Sequence, residues 1–340
     1  MMKLKNSRNA LFLLTGMTAF ALLHAPVHAQ DLKEITVAIP NPSALNMWPM
    51  YVAMAEGYMA DEGIKVTVEA VDGSSLVLQA LAAGQAQIGE PGPAPTLSAR
   101  ARGADVVFIY NFNPRSSFGV VVREESPYQT PADLKDKVVG VGTADGAEVS
   151  FARSVLADAG LSEGDDYTFL PVGDGGTAAA GFERGDIEAY AASTSDAAIM
   201  ATRGLKLRAI TPEKFKAYFA NGFAVMRPWM EENRDIVEGF GRAIVKGTKF
   251  GFDPANRETV LAHAAAGNPQ EGEDTELANA LLDQLFIRMD IGDQPEGYGY
   301  QPPKNWETWH QTLLDSGGLS EPQDLSKAYT NEFVEIWNAE

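Results

Sequence analysis

The stretch that decides the fold is Ile35–Gly63, ITVAIPNPSALNMWPMYVAMAEGYMADEG. Its first five residues are strand-forming, and a loop rich in proline and asparagine, 40–48, follows them. Apolar side chains then recur at the three- and four-residue spacing of one helix that ends at Gly63: Met47, Tyr51, Met54 and Tyr58. In an open α/β sheet, ligands bind outside the carboxyl ends of the strands. We therefore expect the loop 40–48 to face a ligand.

The first 29 residues have the pattern of an export signal. Lys3, Lys5 and Arg8 precede an apolar run at 10–23, and Val27-His28-Ala29 is a small-residue cleavage signal. Nothing later in the sequence approaches the roughly 20 apolar residues that a membrane span needs. We expect cleavage after Ala29 and a soluble periplasmic protein.

Composition narrows the class of protein. The sequence has 340 residues, no cysteine and a net charge of −19. A chain of this length exceeds what one core usually holds, so two lobes are expected. Without cysteine we expect no lipid anchor, disulfide or thiolate nucleophile, and the acidity disfavours nucleic acid and anionic lipid as partners.

Strands and helices alternate along the chain in two series. The first runs from Ile35 to Val122, and the second opens at Thr130 and continues to Arg203. Each series is predicted to repeat one plan, because 81–89 and 182–191 share a pattern of helix end, glycine and short apolar strand. A strand at 224–226 then returns to the first lobe. Helices are predicted after it at 229–251, 257–266, 274–288, 306–317 and 325–338.

Short motifs occur in the order and spacing of a known family: Tyr51-Val52-Ala53, Gly57-Tyr58-Met59, Glu62-Gly63-Ile64-Lys65-Val66, Leu81-Ala82-Ala83-Gly84, Asp133-Leu134-Lys135-Asp136-Lys137-Val138 and Gly185-Asp186-Ile187-Glu188-Ala189. The tail from Trp306 to Val334 also fits. The chain resembles the type II periplasmic solute-binding proteins of ABC importers, in the branch that serves nitrate, sulfonates, taurine and thiamine-pyrimidine precursors.

The resemblance implies a two-lobed α/β clamshell, in which each lobe is a mixed sheet flanked by helices and two hinge crossings join the lobes. The expected limits are a signal peptide at 1–29, a discontinuous first lobe at 30–120 and 218–340, and a second lobe at 121–217. By position, the crossings are expected near 117–123 and 210–223. The resemblance also implies that a monomer without a cofactor captures a small molecule, closes on it and presents it to an inner-membrane permease.

Candidate ligand contacts in the first lobe lie in its loops and connector, mostly at the turns that follow its strands. They are Ser43, Asn46, Trp48, Ser74, Ser75, Glu90, Gly92, Pro93 and Arg115. The serines and the asparagine either bind ligand or cap helices, and Trp48 either stacks on a ligand or covers the core. Glu90 is expected to contact a ligand amine or to lie on the surface. The Arg115 guanidinium either donates two hydrogen bonds to a carboxylate or sulfonate group on the ligand, or it remains on the protein surface.

The second lobe offers the corresponding turns. Its candidates are Thr143, Ala144, Asp145, Ala147, Asp174, Ser193 and Thr194. Asp174 either contacts ligand or caps the next helix. The glycines Gly140, Gly142 and Gly146 do not have the spacing of a dinucleotide-binding loop.

Three functions remain open at this stage. The resemblance favours capture of an organic solute for import, with a periplasmic sensor partner of a receptor kinase as an alternative. Enzymes similar to this family rely on cysteine-bearing signatures, and a G-x-S-x-G elbow is also missing, so we expect no enzyme.

His263 and His310 have no acidic residues at ligand spacing, so we expect no metal. An aromatic, neutral or amine-bearing ligand is preferred to an inorganic anion, although sulfonates and carboxylates stay open.

Overall fold

The computed structural model describes residues 32–116, 118–292 and 294–339. The expected signal peptide lies outside these residues. The strands are β1 (Lys33–Ile39), β2 (Ile64–Ala70), β3 (Ile88–Gly89), β4 (Val106–Tyr110), β5 (Phe118–Arg123), β6 (Lys137–Val141), β7 (Tyr167–Pro171), β8 (Ala189–Ser193), β9 (Leu207–Ala209) and β10 (Phe223–Met226). The α-helices are α1 (Trp48–Ala55), α2 (Tyr58–Asp61), α3 (Ser74–Ala82), α4 (Pro93–Ala101), α5 (Ala147–Asp158), α6 (Gly175–Arg184), α7 (Thr194–Thr202), α8 (Arg227–Glu232), α9 (Arg234–Phe252), α10 (Arg257–Gly267), α11 (Thr275–Met289), α12 (Pro303–Asp315) and α13 (Val334–Asn338).

The strands form two five-stranded sheets, with the orders β2-β1-β3-β10-β4 and β7-β6-β8-β5-β9. In each sheet, three parallel strands are followed by an antiparallel one, which is β10 in the first sheet and β5 in the second. We call each sheet with its flanking helices a lobe. The expected α/β class, with a mixed sheet in each lobe and one repeated plan, is confirmed. The limits 30–120, 121–217 and 218–340 stay predictions.

The chain passes from the first sheet to the second between Tyr110 and Phe118 and returns between Ala209 and Phe223. The expected first crossing at 117–123 is corrected, because 118–123 is strand β5 of the second sheet. The two crossings are hydrogen-bonded to each other. Asn113 N donates to Asn221 O at 3.1 Å, and Ala220 N donates to Asn113 O at 2.9 Å. These paired segments form the hinge between the lobes.

The opening stretch folds as a strand, a loop and two helices. A proline in the first turn of α1 fits a helix start, because proline has no N–H to leave unsatisfied there. The single helix expected to run to Gly63 is corrected: Gly57 has a φ of 82°, a left-handed backbone that interrupts the helix between α1 and α2.

Two other predicted helices are also divided. The helix expected at 229–251 breaks at Asn233, whose φ of −129° lies outside the helical range, into α8 and α9. The helix expected at 325–338 is a 3₁₀ turn at Leu325–Lys327 followed by α13. Strand β9 was not predicted.

Two large apolar clusters stabilise the molecule, and one of them joins the lobes. Its aromatic members include Phe151 of α5 in the second lobe and Trp309 of α12 in the first, with ring centroids 6.5 Å apart. Tyr218 of the second crossing packs edge-on against Trp309 at 4.8 Å. Within the described ranges, every helix is too short or too polar to cross a bilayer.

Candidate ligand-binding site

A cavity of about 240 Å³ lies between the two lobes. Its walls come from the loops that follow β1, β2, β3, β6, β7 and β8, from both hinge crossings, and from helix α11. The lining residues are Pro40, Asn41, Pro42, Ser43, Leu45, Asn46, Gly73, Ser74, Glu90, Asn113, Phe118, Thr143, Ala147, Glu148, Asp174, Ser193, Ser195, Asp196, Ile199, Asn221, Asn268, Glu271, Leu281, Leu285 and Arg288. The turns of the two sheets therefore meet around one cavity, as expected. The volume of this cavity suits a small molecule.

The loop that follows β1 is held on one side of the cavity by a carboxylate. Glu271 accepts hydrogen bonds from Ser43 Oγ and, at 2.9 Å, from the Leu45 backbone N–H. Ser43 Oγ accepts in turn from the Asn46 N–H at 3.2 Å. Asn268 Nδ2 donates to Pro42 O at 3.1 Å. These bonds hold the loop against the segment that carries Asn268 and Glu271.

The lobes approach each other closely at the turns that carry Gly73, Gly92 and Ser75. Ser75 Oγ donates to Asp145 O of the second lobe at 3.3 Å. A Cβ on Gly92 would lie 2.5 Å from Ala147 Cβ, closer than carbon atoms pack. The described conformation is therefore one in which the two lobes touch beside the cavity.

A buried acid and a buried base face the cavity from the first lobe. Glu90, at the end of β3, is 6% exposed, and Arg288, on α11, is 8% exposed. Burial raises the pKa of Glu90 to about 8, although Arg288 and a hydrogen bond from Asn221 oppose the rise. Burial lowers the pKa of Arg288 to about 10, against the charges of Glu90 and Asp196. Arg288 Nε finds no hydrogen-bond partner among the described residues.

The amides of the two crossings also face the cavity. Asn113 and Asn221 are 2% and 8% exposed. Asn113 Nδ2 donates to Asn221 O at 3.1 Å, whereas Oδ1 of each side chain lacks a donor among the described residues. Unpaired buried oxygens are costly, so these two acceptors favour a ligand or a water molecule that supplies hydrogen.

The second lobe contributes three carboxyl side chains. Burial raises the pKa of Glu148 to about 7, although Thr143 donates to its Oε1 through its backbone N–H at 3.1 Å. Partial burial, followed by the charges of Asp196 and Asp72, raises the pKa of Asp174 to about 6. Asp196 accepts from Ser193 N, Ser193 Oγ and Gly175 N, which fix it at the start of α7.

The cavity contains about half of the residues predicted from the sequence. Those on its wall are Ser43, Asn46, Ser74, Glu90, Thr143, Ala147, Asp174 and Ser193. Ser75, Gly92 and Asp145 lie instead at the contact between the lobes. Asp174 occupies the N-cap position of α6 but makes no capping bond with its side chain. Whether these residues bind ligand stays a prediction.

Five other predicted residues are among neither the wall residues named above nor the residues at the contact between the lobes. Trp48 is fully buried and packs edge-on against Phe252 and Phe286, so its expected stacking on a ligand is corrected: it is a core residue. Arg115 is exposed and pairs with Asp290 at 3.1 Å. Pro93 is buried at the start of α4 and Ala144 is exposed outside the wall. Thr194 begins α7, and its side chain lies outside the described part of the structure.

Sequence reasoning missed the groups with the most unusual environments, Arg288, Glu148, Asn113 and Asn221. One signal was available: Leu281, Leu285 and Arg288 are spaced by four and three residues, so an arginine continues the apolar stripe of a helix. A charge in that position points either to a buried partner or to a site.

Two α/β lobes, two paired crossings and a polar cavity between the lobes define the class of fold that is named after the periplasmic binding proteins. Within that class, residues 44–256 match the model of the NMT1/THI5-like family, and the chain belongs to this family.

Relatives in this class are named for different ligands. The chain is 25% identical to the riboflavin-binding protein RibY of Chloroflexus aurantiacus, over 91% of this chain and 88% of that protein. Its fold is similar to that of the alkanesulfonate-binding protein SsuA of Xanthomonas axonopodis pv. citri, with a TM-score of 0.67 at 17% identity over 87% and 98% of the two chains. It is also similar to the nitrate-binding protein NrtA of Synechocystis PCC 6803, with a TM-score of 0.67 at 14% identity over 91% and 89%.

Proposed function

We propose that this protein is the exported, periplasmic solute-binding component of an ABC importer, which captures a small organic molecule between its lobes and delivers it to a membrane permease. The observation that carries the proposal is the cavity itself. Both lobes and both crossings contribute polar groups to it, and three of those groups, on Arg288, Asn113 and Asn221, lack partners among the described residues. A ligand is the simplest way to satisfy them.

Binding without chemistry fits the side chains in the cavity. Its wall offers carboxyl, amide and hydroxyl groups and one guanidinium, and the sequence has no cysteine to act as a nucleophile. The relatives described above are named as binding proteins. A ligand that touches both lobes stabilises the conformation in which they meet, and a permease can recognise that conformation.

The test is a thermal-unfolding screen of the purified protein against pyrimidines, flavins, aromatic acids, sulfonates, nitrate and small amines. A ligand that binds only the folded state at 100 times its Kd stabilises it by about 2.7 kcal/mol. We expect one organic class to raise the Tm, followed by saturable binding in calorimetry. If no compound class raises the Tm, the proposed function is wrong.

Arg288→Met locates the binding site. It removes the buried guanidinium but keeps an apolar side chain of similar length on α11, so we expect affinity to fall while the protein stays folded. Arg234→Met is the matched control, because Arg234 pairs with Glu332 on the surface at 3.0 Å, away from the cavity wall. Equal affinities in the two variants would place the binding site elsewhere.

A further inference from the structure

The charges on the cavity wall are strongly unbalanced. Among the residues that the structure describes, its carboxyl side chains are Glu90, Glu148, Asp174, Asp196 and Glu271, and its single basic side chain is Arg288. When the carboxyls are ionised, a ligand enters a strongly negative enclosure. Positive charge on the ligand would reduce this imbalance, whereas negative charge would increase it.

Two of the carboxyls already have structural partners. Glu271 is bonded by Ser43 and the Leu45 N–H, and Asp196 accepts three hydrogen bonds at the start of α7. Glu148 Oε1 accepts from the N–H and Oγ1 of Thr143 at 3.1 and 3.3 Å, and Asp174 Oδ1 accepts a long bond from Tyr190 Oη at 3.5 Å. They remain able to accept hydrogen bonds from a ligand.

Glu148 and Asp174 form a pair within the second lobe. Glu148 Oε1 and Asp174 Oδ1 lie 3.4 and 2.1 Å from the point where a Cβ on Gly142 would stand. The glycine therefore leaves the space that these carboxyls occupy. The only donor to Asp174 within the described residues is Tyr190 Oη, at 3.5 Å.

The other ionisable groups around this pair do not neutralise it. Asp72 and Asp196 add negative charge. Arg203 lies against Gly176, and within the described residues no hydrogen bond or ion pair joins it to Glu148 or Asp174. The pair therefore faces the cavity as an acidic surface with unused acceptor oxygens.

Arg288 supplies the independent sign of a ligand. Its side chain is more than nine-tenths buried, lines the cavity, and leaves Nε without a partner among the described residues. A buried guanidinium N–H requires an acceptor. An oxygen atom on the ligand would accept this hydrogen bond. Arg288 lies in the first lobe, and the Glu148 and Asp174 pair lies in the second.

We propose that the cavity selects a small organic ammonium compound that also carries an oxygen acceptor, with its N–H groups on Glu148 and Asp174 and its oxygen on Arg288. This inference rests on the proposed function and makes it more specific. It separates this protein from the relatives named for alkanesulfonate and nitrate. Those ligands are anions, and here an anion would meet one guanidinium among five carboxyls.

Proton exchange distinguishes the two kinds of ligand. An ammonium ligand binds the ionised carboxyls, so its binding releases protons and its affinity rises with pH through the range of about 6 to 8 set by Asp174, Glu148 and Glu90. An anion prefers the protonated carboxyls, so its affinity falls over the same range. Calorimetry in two buffers of different ionisation enthalpy measures the proton count directly.

The experiment uses ethanolamine and 3-aminopropanol, which each carry an ammonium group and a hydroxyl oxygen, as ammonium probes, and isethionate and nitrate as anionic probes. Thermal unfolding and calorimetry are run at pH 6, 7 and 8 on the purified protein. We expect the ammonium probes to bind, to release protons, and to bind more tightly at pH 8 than at pH 6. Choline, which has no N–H group, should bind more weakly than ethanolamine.

The variants Glu148→Gln and Asp174→Asn keep the shapes of the side chains and remove the charges. We expect each to weaken ammonium binding by about 30-fold, the lower end of the loss when one partner of a buried charge pair is removed. Glu183→Gln on the exposed face of α6 removes the same charge outside the cavity and should change nothing.

Each outcome decides between the inference and the proposed function. Binding of isethionate or nitrate without binding of either ammonium probe overturns the inference and leaves solute binding intact. Ammonium affinity that is unchanged in Glu148→Gln and Asp174→Asn also overturns it. Absence of binding by every cationic and anionic probe overturns the inference, whereas the proposed function fails only if no class in the wider thermal-unfolding screen raises the Tm.

Discussion

Glu90→Gln should make the ligand-free protein more stable at neutral and alkaline pH, although it alters a residue in the candidate site. The carboxyl is buried at the end of β3, and its pKa is raised from 4.5 to about 8 by burial. Such a group is protonated in both the folded and unfolded states below pH 4.5 and has no effect on stability there. As the pH rises from 4.5 to about 8, the unfolded chain ionises first, and stability is lost.

The size of the effect follows from the pKa difference. One pKa unit corresponds to about 1.4 kcal/mol, so the full cost above pH 8 is roughly 5 kcal/mol, of which about half appears between pH 5 and pH 7. Glutamine stays neutral and keeps an oxygen that accepts from Asn221. The variant should therefore lack this part of the pH dependence while retaining the parts due to Glu148 and Asp174.

The assay is urea unfolding of ligand-free wild type and Glu90→Gln at pH 5, 6, 7 and 8, followed by tryptophan fluorescence and circular dichroism. We expect the two curves of unfolding free energy to lie close together at pH 5 and to separate steadily towards pH 8. Glu183→Gln, which removes an exposed carboxyl, should follow the wild type throughout. Parallel curves for wild type and Glu90→Gln across the whole range would refute the assignment of a strongly raised pKa to Glu90.

Two further substitutions separate core packing from lobe closure. Trp48→Ala should lower the unfolding free energy by about 3–5 kcal/mol, the usual cost of truncating a buried aromatic, while the folded fraction keeps its ligand affinity; a selective loss of affinity would restore a binding role for Trp48. Gly92→Ala places a methyl group 2.5 Å from Ala147 Cβ in the opposite lobe. It should weaken ligand binding by roughly 1–3 kcal/mol, the usual cost of overpacking. It should also increase the radius of gyration of the ligand-bound protein in X-ray scattering. Unchanged affinity and scattering in Gly92→Ala would show that the described contact between the lobes is not part of the bound state.

The layer structure was predictable because it depends on local patterns. The alternation of strands and helices, and the echo between 81–89 and 182–191, predicted two sheets of one plan. The errors came where one residue interrupts a longer apolar pattern. Gly57 and Asn233 each break a stripe that continues on both sides, and helical spacing alone does not register a single unfavourable φ.

The candidate site was predictable only where it follows the ends of strands. That rule led to Ser43, Ser74, Glu90 and Asp174, all of which line the cavity. It could not lead to Arg288, which reaches the cavity from the last turn of α11, on the apolar face of that helix, after a long return of the chain. Its role depends on a contact between segments about 200 residues apart, and no local pattern encodes that contact.

The predicted ligand contact of Trp48 was also wrong because of a contact between distant segments. It stands at the junction of a loop and α1, where sequence alone allows either exposure or burial. The rings of Phe252 and Phe286, from α9 and α11, close over it at centroid distances of 5.8 and 5.3 Å. The same helix α11 thus covers the tryptophan with one residue and presents Arg288 to the cavity two residues later.

The ammonium inference makes lobe closure and the ionisation of the cavity one equilibrium. Bringing Asp72 of the first lobe towards Asp174 of the second raises the cost of ionising Asp174, so closing the lobes without a ligand favours a proton on that carboxyl. A cation between the lobes removes that cost only when they meet. The differential affinity for the closed form therefore comes from the same carboxyls that select the ligand, and a variant that neutralises them should close more readily without ligand while binding the ligand more weakly.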